Sequence, residues 1–447
     1  MITSVIGRTF LKAYNEKYGK GYSPKEFFEK EYRQTFFNHE KYLMSGGNSP
    51  FENPKISWEK MIKGIIPFES QEKRDERFMK FMEKAQSVKG NLDASIAMGF
   101  PASDEREYAS TSGLVSDLII PVDEDEVYLS WIGSGLGITV AGGFSILFDN
   151  PIITLQTFEG WRNYRKYLND PTLDKLRGNQ INTWNGQWLT YSMDPDKFRE
   201  DFDFTELQGN GIFKVDTSLA EVNTVNWSQL FFSLSQVFPK EELMGYVYGF
   251  GQTNKTIGFI PFQFKSGTRI KDVYSQLFGG KYSTSKEFES LFGMHIKRAC
   301  ELGSIGLLAL RPDSLVKYMQ DGKNLNFKKE EDLINYQAYK TWLIAMLSKN
   351  KEQITDYTME IAKVILSYRN GGKGNSRITL VDKNLFDTKS KKEFLEHLTT
   401  IVSDADESNL EEIKQLRNEI HLMTNEEFIY FITLLKFDYS YLQRKTN

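Results

Sequence analysis

The sequence predicts an α+β protein: a mixed N-terminal body with a sheet around a glycine-rich hairpin, followed by a C-terminal helical bundle. Three observations predict it. Val127–Asn150 is the most apolar run of the chain and is punctuated by Gly133, Gly135, Gly137, Gly142 and Gly143. Short Val-, Ile-, Tyr- and Phe-rich runs bounded by turn residues recur between Asp93 and Phe264, as half-buried strands require. From Thr284 onward apolar residues fall almost everywhere at three- and four-residue spacing. The expected division is 1–280 for the mixed body, helical over 1–90 and sheet-rich over 91–280, and 281–447 for the bundle.

Taken in order, Phe10, Leu11, Tyr14 and Tyr18 lie at helical spacing before Gly19-Lys-Gly21 ends the first helix. Ser23-Pro24-Lys-Glu26 starts the next, with a cap, a proline in the first turn and a capping-box glutamate. Phe27, Phe28, Tyr32, Phe36 and Phe37 give that helix its apolar face. Met44–Lys55 is a loop by its Gly, Asn and Pro content, and helical signals return over Ser57–Ile65 and Gln71–Val88. Ser95–Gly99 and Val115–Pro121 read as strands. Val127–Ile132 and Gly137–Phe148 read as two buried strands folded together through Ser134, with the Gly142–Gly143 pair marking a bulge or close backbone approach. Pro151–Asn169 switches to helical period and stops at Asp170-Pro171. Ile181–Tyr191 reads as a strand or a hairpin turning at Asn185-Gly186. Ile212–Asp216, Tyr246–Phe250 and Thr256–Phe264 are further strands, with a turn at Gln252–Lys255, and Asn226–Phe238 is a helix. Thr284-x-x-Glu287 opens the helical half. Asp332–Leu347, Gln353–Tyr368, Lys391–Val402, Asn409–Ile420 and Asn425–Leu442 follow, the last two started by Ser408-x-x-Glu411 and Thr424-x-x-Glu427. Short links between them favour an antiparallel bundle.

A chain of 447 residues exceeds the size at which one core keeps growing, so more than one domain is expected. The single cysteine, Cys300, excludes a disulfide framework and a cysteine zinc knuckle and fits a reducing, cytoplasmic setting. No signal-peptide pattern opens the sequence, and no apolar run is long enough to span a membrane. Acidic residues outnumber basic ones, 60 to 56, giving a net charge of −4. That balance argues against an autonomous nucleic-acid binder and leaves room for a local basic strip or for a subunit of a larger assembly.

Motifs for chemistry are sparse. Gly133-Ser-Gly-Leu-Gly137 lacks the Lys-Ser/Thr of a Walker loop, and no helix opens at its third glycine as a dinucleotide fold requires. His39, His295, His397 and His421 have no partner at metal-binding spacing, and no HExxH, CxxC, calcium-loop or GxSxG pattern occurs, so neither a metal nor a cofactor is expected. Asp123-Glu-Asp-Glu126 reads first as a solvated loop charging a strand edge. A metal-dependent nuclease or hydrolase using that cluster or Asp216 is the enzymatic alternative, with turnover abolished by Asp216→Ala as its mark.

Three segments suit nucleic-acid contact. In Tyr42–Lys55 the Gly46–Gly47 pair lets backbone approach a ligand, while Asn48, Asn53 and Lys55 offer donors to base edges and phosphate. Arg177–Trp188 alternates amides with aromatics, and Gln180, Asn182 and Asn185 are its candidate contacts; a hairpin with core tryptophans is the rival. Tyr368–Arg377 joins two helices with Gly371, Gly372 and Gly374 among Arg369, Lys373 and Arg377, a phosphate-compatible nest whose rival is a flexible link.

The block GGFSILFDNP, the helix EGWRNYRKYL after it, the terminal LRNEIHLMTNEEFIYFITLL and, more weakly, the opening GRTFLKAYNEKYG together resemble the large subunits of type I CRISPR interference (Cascade) complexes, nearest the type I-A/I-B sort. The resemblance implies a non-enzymatic antiviral-defence role inside a ribonucleoprotein. Its partners would be guide RNA, target double-stranded DNA, the backbone and 5′-end-binding CRISPR subunits and a recruited helicase–nuclease. Such a subunit recognises the protospacer-adjacent motif, binds the target and helps open the duplex, while base pairing reads the rest. Some relatives carry a cysteine zinc site; this chain lacks those cysteines. The remaining alternative is a purely structural protein-interaction subunit.

Overall fold

The computed structural model describes residues 1–41, 58–87, 90–95, 115–195, 198–201, 212–215, 219–249, 255–279, 285–321, 329–348, 357–372, 374–405 and 407–446. The chain is α+β, and its residues group into two units: Met1–Lys265 with His295–Ala309, and Ser266–Met294 with Leu310–Asn447.

The first unit opens with α1 (Ile2–Tyr18), which buries Ile6, Phe10, Leu11 and Tyr14 and ends on Gly19 in the left-handed conformation at φ 60°. The expected capping box starts α2 (Pro24–Phe27): Glu26 N–H donates to Ser23 Oγ at 3.2 Å and Ser23 N–H to Glu26 Oε2 at 2.9 Å. The helix runs on through Phe28–Phe37 as a π-helix. The wider turn brings residues four apart nearly into line, so the Phe28, Tyr32 and Phe36 rings stack at 4.7 and 4.1 Å. Next come α3 (Trp58–Ile62), α4 (Gln71–Ser87) and the antiparallel pair β1 (Gly90–Ser95) and β2 (Val115–Val122).

The glycine-rich stretch corrects the sequence reading. Its first half is not a strand but helix α5 (Glu124–Gly135), with Asp123 Oδ1 accepting Glu126 N–H at 2.8 Å as the cap. The acidic run Asp123–Glu126 is therefore a helix start, where negative charge meets the positive end of the dipole, and not a strand-edge loop. Every residue from Val127 to Gly135 is buried. The glycines make this possible: a Cβ on Gly133 would fall on the Thr3 carbonyl, and one on Gly7 on the Leu129 carbonyl. Backbone-to-backbone packing of α1 on α5 outweighs the β preference of the local residues.

The hairpin lies just beyond, between β3 (Ile138–Val140) and β4 (Phe144–Phe148). Gly142 and Gly143, at φ 98° and 78°, form its turn rather than a bulge within a strand. The hairpin seeds a four-stranded antiparallel sheet of order β3-β4-β7-β8, where β7 is Glu242–Gly249 and β8 is Lys255–Gln263. Between β4 and β7 run α6 (Pro151–Leu168), α7 (Ile181–Ser192), the small pair β5 (Phe213–Val215) and β6 (Ala220–Val222), and α8 (Trp227–Val237). Asn150 caps α6, its Oδ1 accepting Ile152 and Ile153 N–H at 2.9 and 3.1 Å ahead of Pro151. The expected hairpin over Ile181–Tyr191 is instead α7, because Trp184 and Trp188, one helical turn apart, both seat on α6.

The second unit is helical. It comprises α9 (Lys265–Phe278) and α10 (Ser285–Phe292), then, after α11 (Ile296–Glu301) of the first unit, α12 (Asp313–Asp321), α13 (Glu330–Leu347) and α14 (Tyr357–Asn370). The chain continues with α15 (Ser376–Thr379), running into a π-turn at Leu380–Leu385, α16 (Lys391–Val402), α17 (Leu410–Leu422) and α18 (Asn425–Thr446). Ile361, Leu385, Phe394, Ile413, Leu416, Phe431 and Leu435 belong to one core. The Thr424–Glu427 box forms as expected, with bonds of 3.2 and 2.7 Å, whereas α17 starts one residue later than expected, with Asn409 at its cap position. Among the described residues no helix is long and apolar enough to cross a membrane.

Candidate nucleic-acid interface

The three segments singled out for nucleic-acid contact meet different fates. Asn48, Asn53 and Lys55 lie outside the described residues, as do Lys373, Asp216, the Gln252–Asn254 turn and Thr284.

Asn182 and Asn185 come together around the end of α5, and Gln180 reaches β6 instead. Asn182 Nδ2 donates to the Ser134 and Gly137 carbonyls, both at 2.9 Å. Asn185 Nδ2 donates to those of Gly135 and Gly137 at 2.7 and 2.8 Å, and its Oδ1 accepts Trp161 Nε1–H at 3.1 Å. Helix C-termini leave carbonyls without intrahelical partners, and here two buried amides from α7 satisfy them. Gln180 Oε1 accepts Val222 N–H at 2.8 Å. The tryptophans are core: Trp184 Nε1–H donates to the Gly160 carbonyl and Trp188 Nε1–H to that of Gln156, both at 2.7 Å. Asn182 and Asn185, both buried, hold the body together and offer no amide edge to a base, while Gln180 is half-buried. Sequence reasoning had a signal for this, since Asn182, Asn185, Gly186 and Leu189 repeat at helical spacing, as do Trp184 and Trp188.

The loop between α14 and α15 keeps its glycines and arginines on one feature. Gly374 adopts φ 107°, and a Cβ on Gly372 would collide with the Arg377 side chain, so the chain passes close over that guanidinium. Arg377 stacks on the Tyr368 ring at 4.4 Å, and its Nε–H donates to Asp404 Oδ2 at 2.8 Å and its Nη2–H to the Asp404 carbonyl at 2.6 Å. Arg369 forks onto Asp382, with Nη2–Oδ2 at 2.8 Å and Nε–Oδ2 at 3.0 Å, and Tyr439 donates to the same carboxylate at 2.7 Å. The fork raises the Arg369 pKa further, and the Arg377 hydrogen bond lowers that of Asp404. Each arginine thus sits in a neutral pair: a phosphate reaching either one would have to displace a carboxylate already in bidentate or stacked geometry. The arginines fix the loop's shape from behind.

Three carboxylates of the enzymatic alternative are also engaged. Asp123 caps α5, Glu124 pairs with Lys25 at 3.2 Å and accepts Tyr128 Oη–H at 3.0 Å, and Glu126 pairs with Arg8. Among the described residues no group of three His, Cys, Asp or Glu side chains is placed to hold a metal ion. His39 and His295 serve the backbone: Nδ1 of each accepts an N–H two residues on, from Lys41 and Lys297. Cys300 is buried, which pushes its thiol up to about 11. Comparison with protein-family models, with curated proteins and with solved structures found no match.

Proposed function

We propose that this chain is the large subunit of an RNA-guided CRISPR interference complex of the type I-A/I-B sort, recognising the protospacer-adjacent motif, binding target DNA and helping to open the duplex without chemistry of its own. One observation supports the reading. The segments that resemble those subunits fall on regular elements of both units, in the order body then bundle. GGFSILFDNP is the turn and second strand of the hairpin running into the capped start of α6; EGWRNYRKYL is the C-terminal half of α6; LRNEIHLMTNEEFIYFITLL joins the second half of α17 to the first half of α18 on the bundle core. In this proposal Asn48, Asn53 and Lys55 probe the motif, and Lys373 meets phosphate from a loop that Arg369 and Arg377 shape. Gln180, Asn182 and Asn185 act only through the body they hold together.

The test uses the complex assembled with its guide RNA. Asn48→Ala with Lys55→Ala should weaken target-duplex binding by roughly tenfold and flatten the preference for the adjacent motif, as loss of one or two base contacts does. Unchanged affinity and preference would remove these residues. A native preparation without any small RNA of defined length, but with metal-dependent turnover, would overturn the proposal as a whole.

A further inference from the structure

Not every cation of the first unit is matched to a carboxylate. Arg165, in the last turn of α6, is half-buried and donates from Nη2 to the Asn38 carbonyl. Its Nη1 is buried and has no hydrogen-bond partner. The segment that receives Arg165 also carries His39 and Lys41. His39 Nε2 donates to Asn169 Oδ1, just past the end of α6, at 2.8 Å, and Nδ1 accepts Lys41 N–H at 2.8 Å. The Lys41 side chain is buried, and its Nζ donates to the Asp174 carbonyl. Three basic side chains thus meet around residues 38–41. Among the described residues, each bond their side chains donate ends on a neutral carbonyl or amide oxygen, and none of the three forms an ion pair.

These charges crowd one another. Burial first, then the charge of Arg74, lowers the Arg165 pKa to about 10. Burial first, then Arg165, brings His39 down to about 4, and Lys41 adds to that. Burial lowers Lys41 as well, although the charges of Asp174 and Glu40 favour its ammonium. Arg74 follows the same pattern, donating to the Glu69 carbonyl and to Gln71 Oε1, both at 2.6 Å, with a buried Nε that has no partner. The carboxylates of Glu69 and Asp75 go instead to Arg77 and Arg33. The negative end of the α6 dipole offsets part of the charge and leaves Arg165 Nη1 without an acceptor.

A charged donor left unmatched costs more than a neutral one, so the group that completes this site is an anion. A guanidinium presents its N–H groups as a planar fork that suits two oxygens of one oxyanion. Held by one hydrogen bond to a neutral carbonyl, the half-buried Arg165 guanidinium can turn its Nη1–Nη2 edge toward such a ligand. A carboxylate brings one charge and two oxygens. A phosphate fills the same fork and carries up to two charges and further oxygens, which suits a field made by several cations. We propose that Arg165 anchors a phosphate-binding site, forking onto two phosphate oxygens while the charges of Arg74 and Lys41 help to hold the anion. The site stands on the first unit alone and does not depend on the nucleic-acid reading, so either can fail without the other.

Inorganic phosphate is titrated into the full chain at neutral pH, with chloride and acetate as controls at equal ionic strength, while the histidine ring signals are followed by NMR. The His39 signal, assigned by its loss in His39→Gln, should shift saturably with millimolar phosphate, and acetate should bind roughly tenfold more weakly. Arg165→Gln should abolish the shift. Arg165→Lys should weaken it severalfold, because an ammonium is a point charge without a fork. Hexathymidylate without terminal phosphates then separates two sources of the same chemistry. If it displaces inorganic phosphate, the ligand is a nucleic-acid backbone; if it does not, the ligand is a small phosphate ester, and both results support the site. No saturable shift, a shift matched by chloride or acetate, or one that survives Arg165→Gln would each overturn the assignment. If Arg165→Gln fails to fold, Arg165→Lys and the three anions on the unmodified chain decide it.

Discussion

At the scale of single residues, glycine has two distinct jobs here, and substitution separates them. Gly133 and Gly7 have no room for a Cβ because a partner backbone carbonyl occupies its place. Backbone yields far less readily than a side chain, so Gly133→Ala should cost about 3 kcal/mol or more. Gly19 has open space around it, and only its φ of 60° resists a side chain. Gly19→Ala should cost about 1 kcal/mol. Denaturation midpoints of the two variants check the order, and a Gly133→Ala loss no larger than that of Gly19→Ala would contradict the packing account. His39 supplies a pH dependence. Its half-buried ring donates from Nε2 to Asn169 Oδ1 at 2.8 Å while Nδ1 accepts Lys41 N–H, so a second proton would displace a bond. Burial first, then Arg165, lowers its pKa from 6.5 to about 4. In that window the unfolded chain takes up a proton that the folded one refuses, so stability falls as pH drops from 6.5 toward 4. The loss is on the order of 2 kcal/mol once partial exposure is discounted. The difference between urea midpoints at about pH 7 and about pH 4.5 should shrink in His39→Gln; equal differences would remove His39 as the cause.

At the scale of elements, the second unit is fastened by a charge pair inside its core. Lys340 of α13 reaches Asp438 of α18 at 2.8 Å with both side chains buried, while Tyr336 and Thr358 donate to the same carboxylate at 3.1 and 2.7 Å. Lys340→Met strands a buried carboxylate and should cost about 3–5 kcal/mol. Adding Asp438→Asn removes the charge yet leaves an oxygen for the two hydroxyls, so the double variant should recover part of that loss. A double variant no more stable than the single one would show that the stranded charge is not what destabilises. Helices α1, α2, α6, α13, α16 and α18 were legible in the sequence. Most have a polar face that gives a period, or a local cap such as Ser23, Asn150 or Thr424 that fixes the start, and α13, buried all round over 338–345, has the acidic first turn Glu330-Glu331-Asp332. Helices α5 and α7 were not legible. In α5 every residue from Val127 on is buried, so no polar face marks the 3.6 period. In α7 the half-buried Thr183, Gln187 and Tyr191 do follow it, but Asn185-Gly186 reads equally well as a hairpin turn. What holds α5 comes from afar: Thr3 and Gly7 against it, and Asn182 and Asn185 on its final carbonyls. The candidate interface divides in the same way. Arg369 and Arg377 stand out in the sequence, but the carboxylates that neutralise them lie 13 and 27 residues further on, at a separation no local pattern reveals.

At the scale of the whole molecule, electrostatics bounds what this chain can do with DNA. The net charge is −4, and many of its cations are already matched within the fold: Arg33 with Asp75, Arg77 with Glu69, Arg369 with Asp382 and Arg377 with Asp404. Duplex affinity rests on the number of phosphates a protein neutralises, and its logarithm falls against log salt with a slope of about −0.9 per phosphate. A chain whose carboxylates outnumber its cations gains little from such contacts by itself. Under the proposed function the isolated protein should therefore bind duplex no more tightly than non-specific proteins do, with Kd near or weaker than about 10⁻⁴–10⁻⁶ M at physiological salt, and tight binding should appear only in the assembled complex. The variants of the α14–α15 loop sharpen the prediction. Lys373→Ala should lower the magnitude of the complex's salt slope by about one, the signature of a lost phosphate contact. Arg377→Ala should leave the slope unchanged, because the charge it removes is already balanced by Asp404, and should instead loosen the loop and lower the bundle's thermal midpoint. A slope that responds to Arg377 and ignores Lys373 would mean that the guanidinium leaves its carboxylate for the phosphate, and the division of labour proposed for this loop would be reversed.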